Sequence, residues 1–142
     1  MLEDLEEHNM SLPMNLGGMP IVTASEMYRA EVSAVSAGVS KLELMENACQ
    51  SIVSEITSRW TPRKTLVLCG PGQNGGDGLG VACLLQQRRW IIDVVRCFPD
   101  KGFEGNAQIM SERWGGPWMD LESVRLEDYA LVVDAVLGIG LK

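Results

Sequence analysis

The chain has a single histidine, His8, and it lies in the N-terminal stretch, so a histidine-centred catalytic triad is unavailable inside the body of the sequence. It has no CxxC pair either. Its four cysteines, Cys49, Cys69, Cys83 and Cys97, stand singly among apolar neighbours, which argues for packed, reduced thiols rather than a zinc site or a disulfide frame. No segment approaches membrane-spanning length, and the opening MLEDLEEHNMSLPMNLGGMP is acidic, without the basic start and apolar centre of a secretory signal. The cytoplasm is the expected location. Positive charge is scarce: 12 Lys and Arg stand against 19 Asp and Glu, for a net charge of -7. A phosphate backbone would be repelled, so nucleic acid is excluded as a partner held by a charged face, and a small molecule is the expected ligand.

What is present is the composition of one globular domain: 142 residues, 46% hydrophobic, with a mean hydropathy of +0.04. Residues 1–20 lack periodicity and are expected to form a mobile arm, with the domain proper over 21–142. Thr23-Ala24-Ser25-Glu26 fits a capping box opening a helix with Met27, Ala30, Ala34 and Ala37 on one face, ended by Gly38. A second box, Ser40-Lys41-Leu42-Glu43, opens a longer helix whose Met45, Ala48, Cys49, Ile52, Val53 and Ile56 repeat at helical spacing and predict a core face; Pro62 stops it. From Thr65 the period changes. TLVLC (65–69), IIDVVRCF (91–98) and ALVVD (130–134) read as strands, LGVACLLQQRR and Asn106–Trp114 as helices, and Pro99-Asp100-Lys101-Gly102 as a turn. Strand, helix, strand, helix, strand predicts an α/β fold with a parallel sheet and right-handed crossovers. The last strand is followed only by AVLGIGLK, so the sheet is expected to be incomplete at the C-terminal end.

The chemistry is concentrated in CGPGQNGGDGLG, Cys69 to Gly80, where six glycines surround one aspartate directly after a strand. Gly70 to Gly75 satisfies G-x-G-x-x-G, the dinucleotide fingerprint, which leaves a helix N-terminus free for pyrophosphate. Asp77 is expected at the N-cap, its carboxylate taking the Leu79 and Gly80 amides and excluding a phosphate there. A nucleoside-triphosphate loop is excluded, because Gly76-Asp77 stand where it needs Lys and then Ser or Thr. Gln73, Asn74 and Asp77 together offer amide and carboxylate groups suited to a neutral polar ligand. Asp134 ends the last strand, at the same carboxyl end of the sheet, and with an Asn side chain and main-chain carbonyls it offers hard oxygen ligands for magnesium, calcium or an alkali ion. An ordinary NAD-dependent dehydrogenase would want an acid ending the second strand, and Asp93 lies inside that strand and Asp100 beyond it.

GPGQNGGDG after a strand, VVDAVLGIGL downstream, and TASEMYRAE and LELMENA upstream closely resemble the YjeF N-terminal domain, whose enzymatic members are NAD(P)HX epimerases, over Val22 to Lys142. The resemblance implies a Rossmann-like three-layer α/β/α fold, a homodimer, and interconversion of the R and S forms of hydrated NADH or NADPH. It also implies a fused or separate ADP- or ATP-dependent dehydratase as the next enzyme. Carried over by position, it implies substrate contacts at Gln73, Asn74, Gly75, Gly76 and Asp77 and at Gly138, Ile139, Gly140, Leu141 and Lys142. It implies a potassium ion held by Asn74 and Asp134. Three positions depart from the family pattern: Gln73 where Asn is usual, Ile139 where Thr is usual, and Cys49 where Gly is usual. The family's later aspartate, the expected acid/base, lies in a segment outside this sequence, so no catalytic residue is assigned within 1–142. The competing expectation is a non-catalytic member of the same family acting as a nucleotide-sensing or interaction module.

Overall fold

A computed structural model describes residues 15–16 and 19–139. The chain divides into two compact units between Ala37 and Gly38. In the first, β1 (Asn15–Leu16) and β2 (Met19–Pro20) pair antiparallel, so part of the expected arm has local structure. Helix α1 (Ala24–Ser36) follows. Its capping box forms as the sequence predicts: Thr23 Oγ1 accepts from the Glu26 amide, and the Thr23 amide donates to Glu26 Oε2 at 2.6 Å. Ala37 caps the other end, and Gly38 takes φ +99°, the left-handed conformation that ends a helix without a Cβ penalty.

The second unit is the α/β body. Helix α2 (Lys41–Arg59) starts from Ser40, whose hydroxyl accepts from the Glu43 amide. It buries Met45, Cys49, Val53 and Ile56, one stripe at helical spacing. The expected core face is too wide by two residues, because Ala48 and Ile52 point outward. Strand β3 (Lys64–Cys69) is covered on both sides, with Leu66 and Val67 fully buried, as its unbroken apolar run predicts. Helix α3 (Gln73–Gln87), strand β4 (Ile91–Arg96), helix α4 (Gly105–Arg113), strand β5 (Trp118–Met119) and strand β6 (Leu131–Ala135) complete the order. Two short 3-10 turns, Leu121–Ser123 and Leu126–Asp128, link β5 to β6.

The sheet runs β5-β4-β3-β6, with every pair parallel. The parallel α/β architecture expected from the alternating pattern is therefore present, with one strand more than the sequence shows. Two-residue β5 is too short to leave a periodic signal. Helix α3 is sandwiched. Gly78 faces Ala135, Cys69 and Val67 of the sheet, while Gly76 and Gly80 face Met45 and Cys49 of α2 and Ala107 and Met110 of α4. The core is continuous through α2, β3, α3, β4 and α4. Across the outer layer, Arg113 of α4 pairs with Glu46 of α2 at 2.6 Å.

Candidate functional site

The sheet changes direction at one place. The chain steps from β3 to β4 to β5 on one side, then returns to lay β6 along the other side of β3. In an open parallel sheet, ligands lie beyond the strand carboxyl ends at such a reversal. The register sets Leu68 opposite Asp134 and Cys69 opposite Ala135, so β3 and β6 finish side by side. Two connections leave from there: the glycine turn into α3, and the segment after Ala135.

The glycine turn is shorter than the sequence suggests. Helix α3 begins at Gln73 with Gly72 as its N-cap, and Gly76 already donates to the Gly72 carbonyl at 3.1 Å. Asp77 is therefore not the N-cap; it lies in the second turn, and the Leu79 and Gly80 amides belong to the helix interior. Tertiary packing overrides the low helix propensity of the glycines. A Cβ on Gly78 would lie 2.5 Å from the Ala135 Cβ, and one on Gly80 would lie 2.4 Å from Cys49 Sγ. Close approach by α2 and the sheet, rather than by a ligand, explains these two. Gly70 and Gly75 pack the turn on itself and on β6: a Cβ on Gly70 would meet the Val136 carbonyl oxygen, and one on Gly75 the Gly70 carbonyl oxygen. With no side chain capping α3 and no acid in its first turn, the expected exclusion of phosphate by Asp77 loses its basis.

The two connections are tied together. Asn74 Nδ2 donates to the Leu137 carbonyl at 3.1 Å, and Gly138 lies against the Asn74 side chain, where a Cβ would sit 3.3 Å from Asn74 Cβ. Gly70 also donates to the Ala135 carbonyl at 3.0 Å. Asp134 Oδ1 accepts from the Val136 amide at 3.0 Å, which folds the chain over as it leaves β6. The faces differ: Ala135 and Cys69 point toward α3, so Asp134, one residue back, points to the other face of the sheet. Asn74 and Asp134 thus share one pair of strand tips and reach them from opposite faces. Asn74 retains its Oδ1 and Asp134 its Oδ2, hard oxygens that fit an alkali or alkaline-earth cation with carbonyls and water completing the shell. No group of three or more His, Cys, Asp or Glu side chains converges among the described residues.

Of the other expected contacts, Gln73 is exposed on the opposite flank of the turn, Gly75 and Gly76 are buried, and Ile139 is 86% exposed. Gly140, Leu141 and Lys142 lie outside the described residues. The cysteines are free thiols; Cys49 and Cys69 are buried as expected, whereas Cys83 and Cys97 are only half-buried. Burial pushes Cys49 and Cys69 up to about 12. Cys49 Sγ donates to the Asp77 carbonyl at 3.4 Å, which anchors α2 to the second turn of α3. Cys97 is also raised, first by burial and then by the charge of Asp134, so that carboxylate acts across the tip of β3 toward β4.

A cleft of about 520 Å³ opens on the β4 flank of the turn, between Pro71, Gly72 and Gln73 and the loop residues Lys101, Gly102 and Glu104. Lys101 belongs to the turn expected after the second strand, and Glu104 follows it at the start of α4 with no motif in the sequence to mark it. Asp93, the acid within that second strand, is held inside the sheet by the Tyr129 hydroxyl at 2.9 Å and by Lys64 at 3.7 Å. Two further clefts, of about 350 and 380 Å³, surround Trp60 at the amino ends of the strands, away from the crevice.

Among known proteins, the chain is 34% identical over 133 residues to the NAD(P)H-hydrate epimerase of Rhodobacter capsulatus, covering 85% of this chain and 63% of that protein. It is 37% identical to the NAD(P)H-hydrate epimerase of Cereibacter sphaeroides, covering 80% of this chain and 61% of that one. The bifunctional NAD(P)H-hydrate repair enzyme Nnr of Pyrobaculum aerophilum matches at 33% identity over 87% of this chain and 27% of its own length. The chain thus spans a little over three-fifths of the two epimerases and about a quarter of the bifunctional enzyme. The fold is shared with the crystal structure of the yeast protein YNL200c, at a TM-score of 0.73 and 21% identity, covering 87% of this chain and 59% of that one. Residues 41–142 match the family model described as YjeF-related protein N-terminus, and the chain belongs to that family.

Proposed function

We propose that the chain carries the substrate crevice of an NAD(P)H-hydrate epimerase, which interconverts the two epimers of a nicotinamide cofactor that has added water. The observation that supports it best is the pair of tied strand tips at the sheet's reversal, where Asn74 reaches from α3 to the Leu137 carbonyl beyond β6. Relatives named for this activity support the substrate class.

In this reading the hydrated nicotinamide lies over the tips of β3 and β6. Gln73 and Asn74 present carboxamides at the start of α3, and the segment from Gly138 onward forms the facing wall. Asn74 Oδ1 and Asp134 Oδ2 are the side-chain oxygens that would hold a potassium ion, which supplies a fixed positive charge for polar substrate groups. Asp134 also holds its own loop through the Val136 amide, so its two oxygens serve different ends. Asn74 likewise divides its carboxamide between the Leu137 carbonyl and the crevice, which fixes the orientation of the oxygen. Epimerisation needs a proton moved at the hydroxyl-bearing carbon, and that role stays unassigned within this chain. A dehydratase that removes the added water is the partner activity such an epimerase serves, in line with the bifunctional relatives.

The test is direct. The purified chain is incubated with a single epimer of hydrated NADH, and the epimer ratio is followed by chromatography in potassium and in sodium buffers. Return to the equilibrium mixture faster in the presence of protein supports the reading. Failure of either epimer to bind, or binding without exchange in a chain extended through the family's later aspartate, overturns it.

A further inference from the structure

We propose that the cleft between the glycine turn and the loop after β4 seats the adenosine half of the dinucleotide, and that Glu104 sets a preference there for an unphosphorylated ribose. The inference rests on the substrate class proposed above, and the tests below separate the two.

The glycine turn has two flanks. On the β6 side, the Asn74 side chain and Gly138 line the crevice over the strand tips. On the β4 side, the cleft of about 520 Å³ is open, within the size range of small-molecule sites. A dinucleotide has two nucleoside ends joined by pyrophosphate. With its nicotinamide over β3 and β6, the linker passes across the turn and the other end enters this cleft.

The far wall is held in place by the end of β4. Arg96 Nη2 donates to the Lys101 carbonyl, and its guanidinium lies 5.0 Å from the centre of the Phe103 ring. Phe103 in turn packs on Trp118 of β5 at 5.9 Å between ring centres, and the Lys101 amide closes a turn on the Phe98 carbonyl. Glu104 stands on this braced wall. It occupies the N-cap position of α4 and makes no side-chain bond to that helix, so both carboxylate oxygens are available as acceptors. A vicinal diol is the partner that matches two adjacent carboxylate oxygens, and Glu104 offers them from the start of α4 rather than from the end of β4, where a dinucleotide fold ordinarily places its ribose acid. Lys101 is the only cationic side chain among the six residues lining the cleft, and its ammonium lies over the Phe98 ring at 5.3 Å. Gln73 faces the wall from the turn, its Nε2 standing 3.9 Å from the Cβ position of Gly105. A 2′-phosphate in place of the 2′-hydroxyl would bring like charge against Glu104 and lose the hydrogen bond.

The experiment titrates the whole 142-residue chain, labelled with nitrogen-15, with adenosine 5′-phosphate, adenosine 2′,5′-bisphosphate and nicotinamide mononucleotide. Adenosine 5′-phosphate is expected to shift the amides of Gly72, Gln73, Gly102 and Glu104, and the mononucleotide those of Asn74, Leu137 and Gly138. The 2′,5′-bisphosphate is expected to bind roughly tenfold more weakly than the 5′-phosphate, the scale of one hydrogen bond to a charged group. Glu104→Gln should bring the two within about twofold, and Glu104→Lys should invert the order. Glu104 is exposed and caps nothing, so both variants are expected to fold, checked by circular dichroism. Failure of adenosine 5′-phosphate to shift the β4 wall, or an unchanged ratio in Glu104→Gln, overturns the proposal. Shifts at the β4 wall by adenosine 5′-phosphate, with none at Asn74, Leu137 and Gly138 by the mononucleotide, would sink the crevice reading and leave the adenosine cleft standing. Epimer exchange without shifts at the β4 wall would do the reverse.

Discussion

Asn74 and Leu137 are joined across 63 positions of sequence by a single bond, from the carboxamide Nδ2 of one to the main-chain carbonyl of the other at 3.1 Å. This bond closes the crevice floor, because it links the first turn of α3 to the segment that leaves β6. Removing it in Asn74→Ala should lower stability by about 1 kcal/mol. Asn74→Asp should lower it further at neutral pH, since a carboxylate oxygen would then face the Leu137 carbonyl without a donor between them. Urea denaturation at pH 7 measures both. Equal midpoints for all three proteins would show that the link carries no stability.

The glycines inside α3 make a second expectation. Gly80→Ala places a methyl 2.4 Å from Cys49 Sγ, and overpacking of this kind typically destabilises by about 1–3 kcal/mol. In a Cys49→Ala background the sulfur is gone and the alanine at 80 meets the residue 49 Cβ at 3.3 Å and Met110 Sδ at 3.6 Å, so the penalty should fall by half or more. Gly78→Ala meets the Cβ of Ala135 at 2.5 Å, which no rotamer change can move, so only Ala135→Gly should relieve it. Denaturation of the four proteins in the 49/80 cycle gives the coupling, and strict additivity would mean that α2 and α3 do not meet as described.

These glycines also show where the sequence could be read and where it could not. The unbroken run TLVLC, the stripe on α2 and the Thr23 capping box each follow from a local rule that the structure obeys, because each is satisfied within one element or one face. The start of α3 does not. A stretch with Gly75, Gly76, Gly78 and Gly80 has poor helix propensity, and only the presence of Met45, Cys49, Ala107 and Ala135 around it makes a bare helix the shape that fits. Asp77 fits a cap by local rules but lies in the second turn for the same reason: the helix start, at Gly72, is decided by partners remote in sequence. Asp134 was legible as a strand-end carboxylate near the glycine turn, since both are strand termini. That it faces away from α3 depends on register, which no single strand reveals. Glu104 was missed because its interest lies in what it does not do, and the absence of a capping bond is visible only in coordinates.

The buried thiols predict an alkaline limit. In the unfolded chain these groups ionise near 9, whereas burial raises Cys49 and Cys69 to about 12 in the folded state. The folded state therefore binds their protons more tightly, and the stability linked to them is fully present below pH 9 and is lost as pH rises from 9 toward 12. Tyr129, raised to about 12 by partial burial and by Asp93, adds to the same loss above 10. Urea midpoints between pH 7 and 11 should fall steadily above 9, and less steeply in Cys69→Ala. A thiol reagent at pH 8 should modify the half-buried Cys83 and Cys97 first and reach Cys49 and Cys69 only on unfolding.

Asp134 has two separable jobs, and one substitution divides them. Asparagine keeps an oxygen at Oδ1, so Asp134→Asn should still accept from the Val136 amide, and stability without added salt should change by less than about 1 kcal/mol. The charge is lost. If that charge holds a cation with Asn74, the melting temperature of the unaltered chain should rise more in potassium than in sodium, and this difference should vanish in Asp134→Asn. The thiol of Cys97 gives a readout independent of any ion, because Asp134 helps to raise it. In the variant Cys97 should ionise at lower pH, and its modification at pH 8 should be faster at unchanged fold. Asp134→Ala, which loses the turn as well, should be both faster at Cys97 and less stable. A Cys97 rate that stays the same in Asp134→Asn would mean that the carboxylate does not act across the tip of β3. A potassium effect that survives the substitution would place any cation elsewhere.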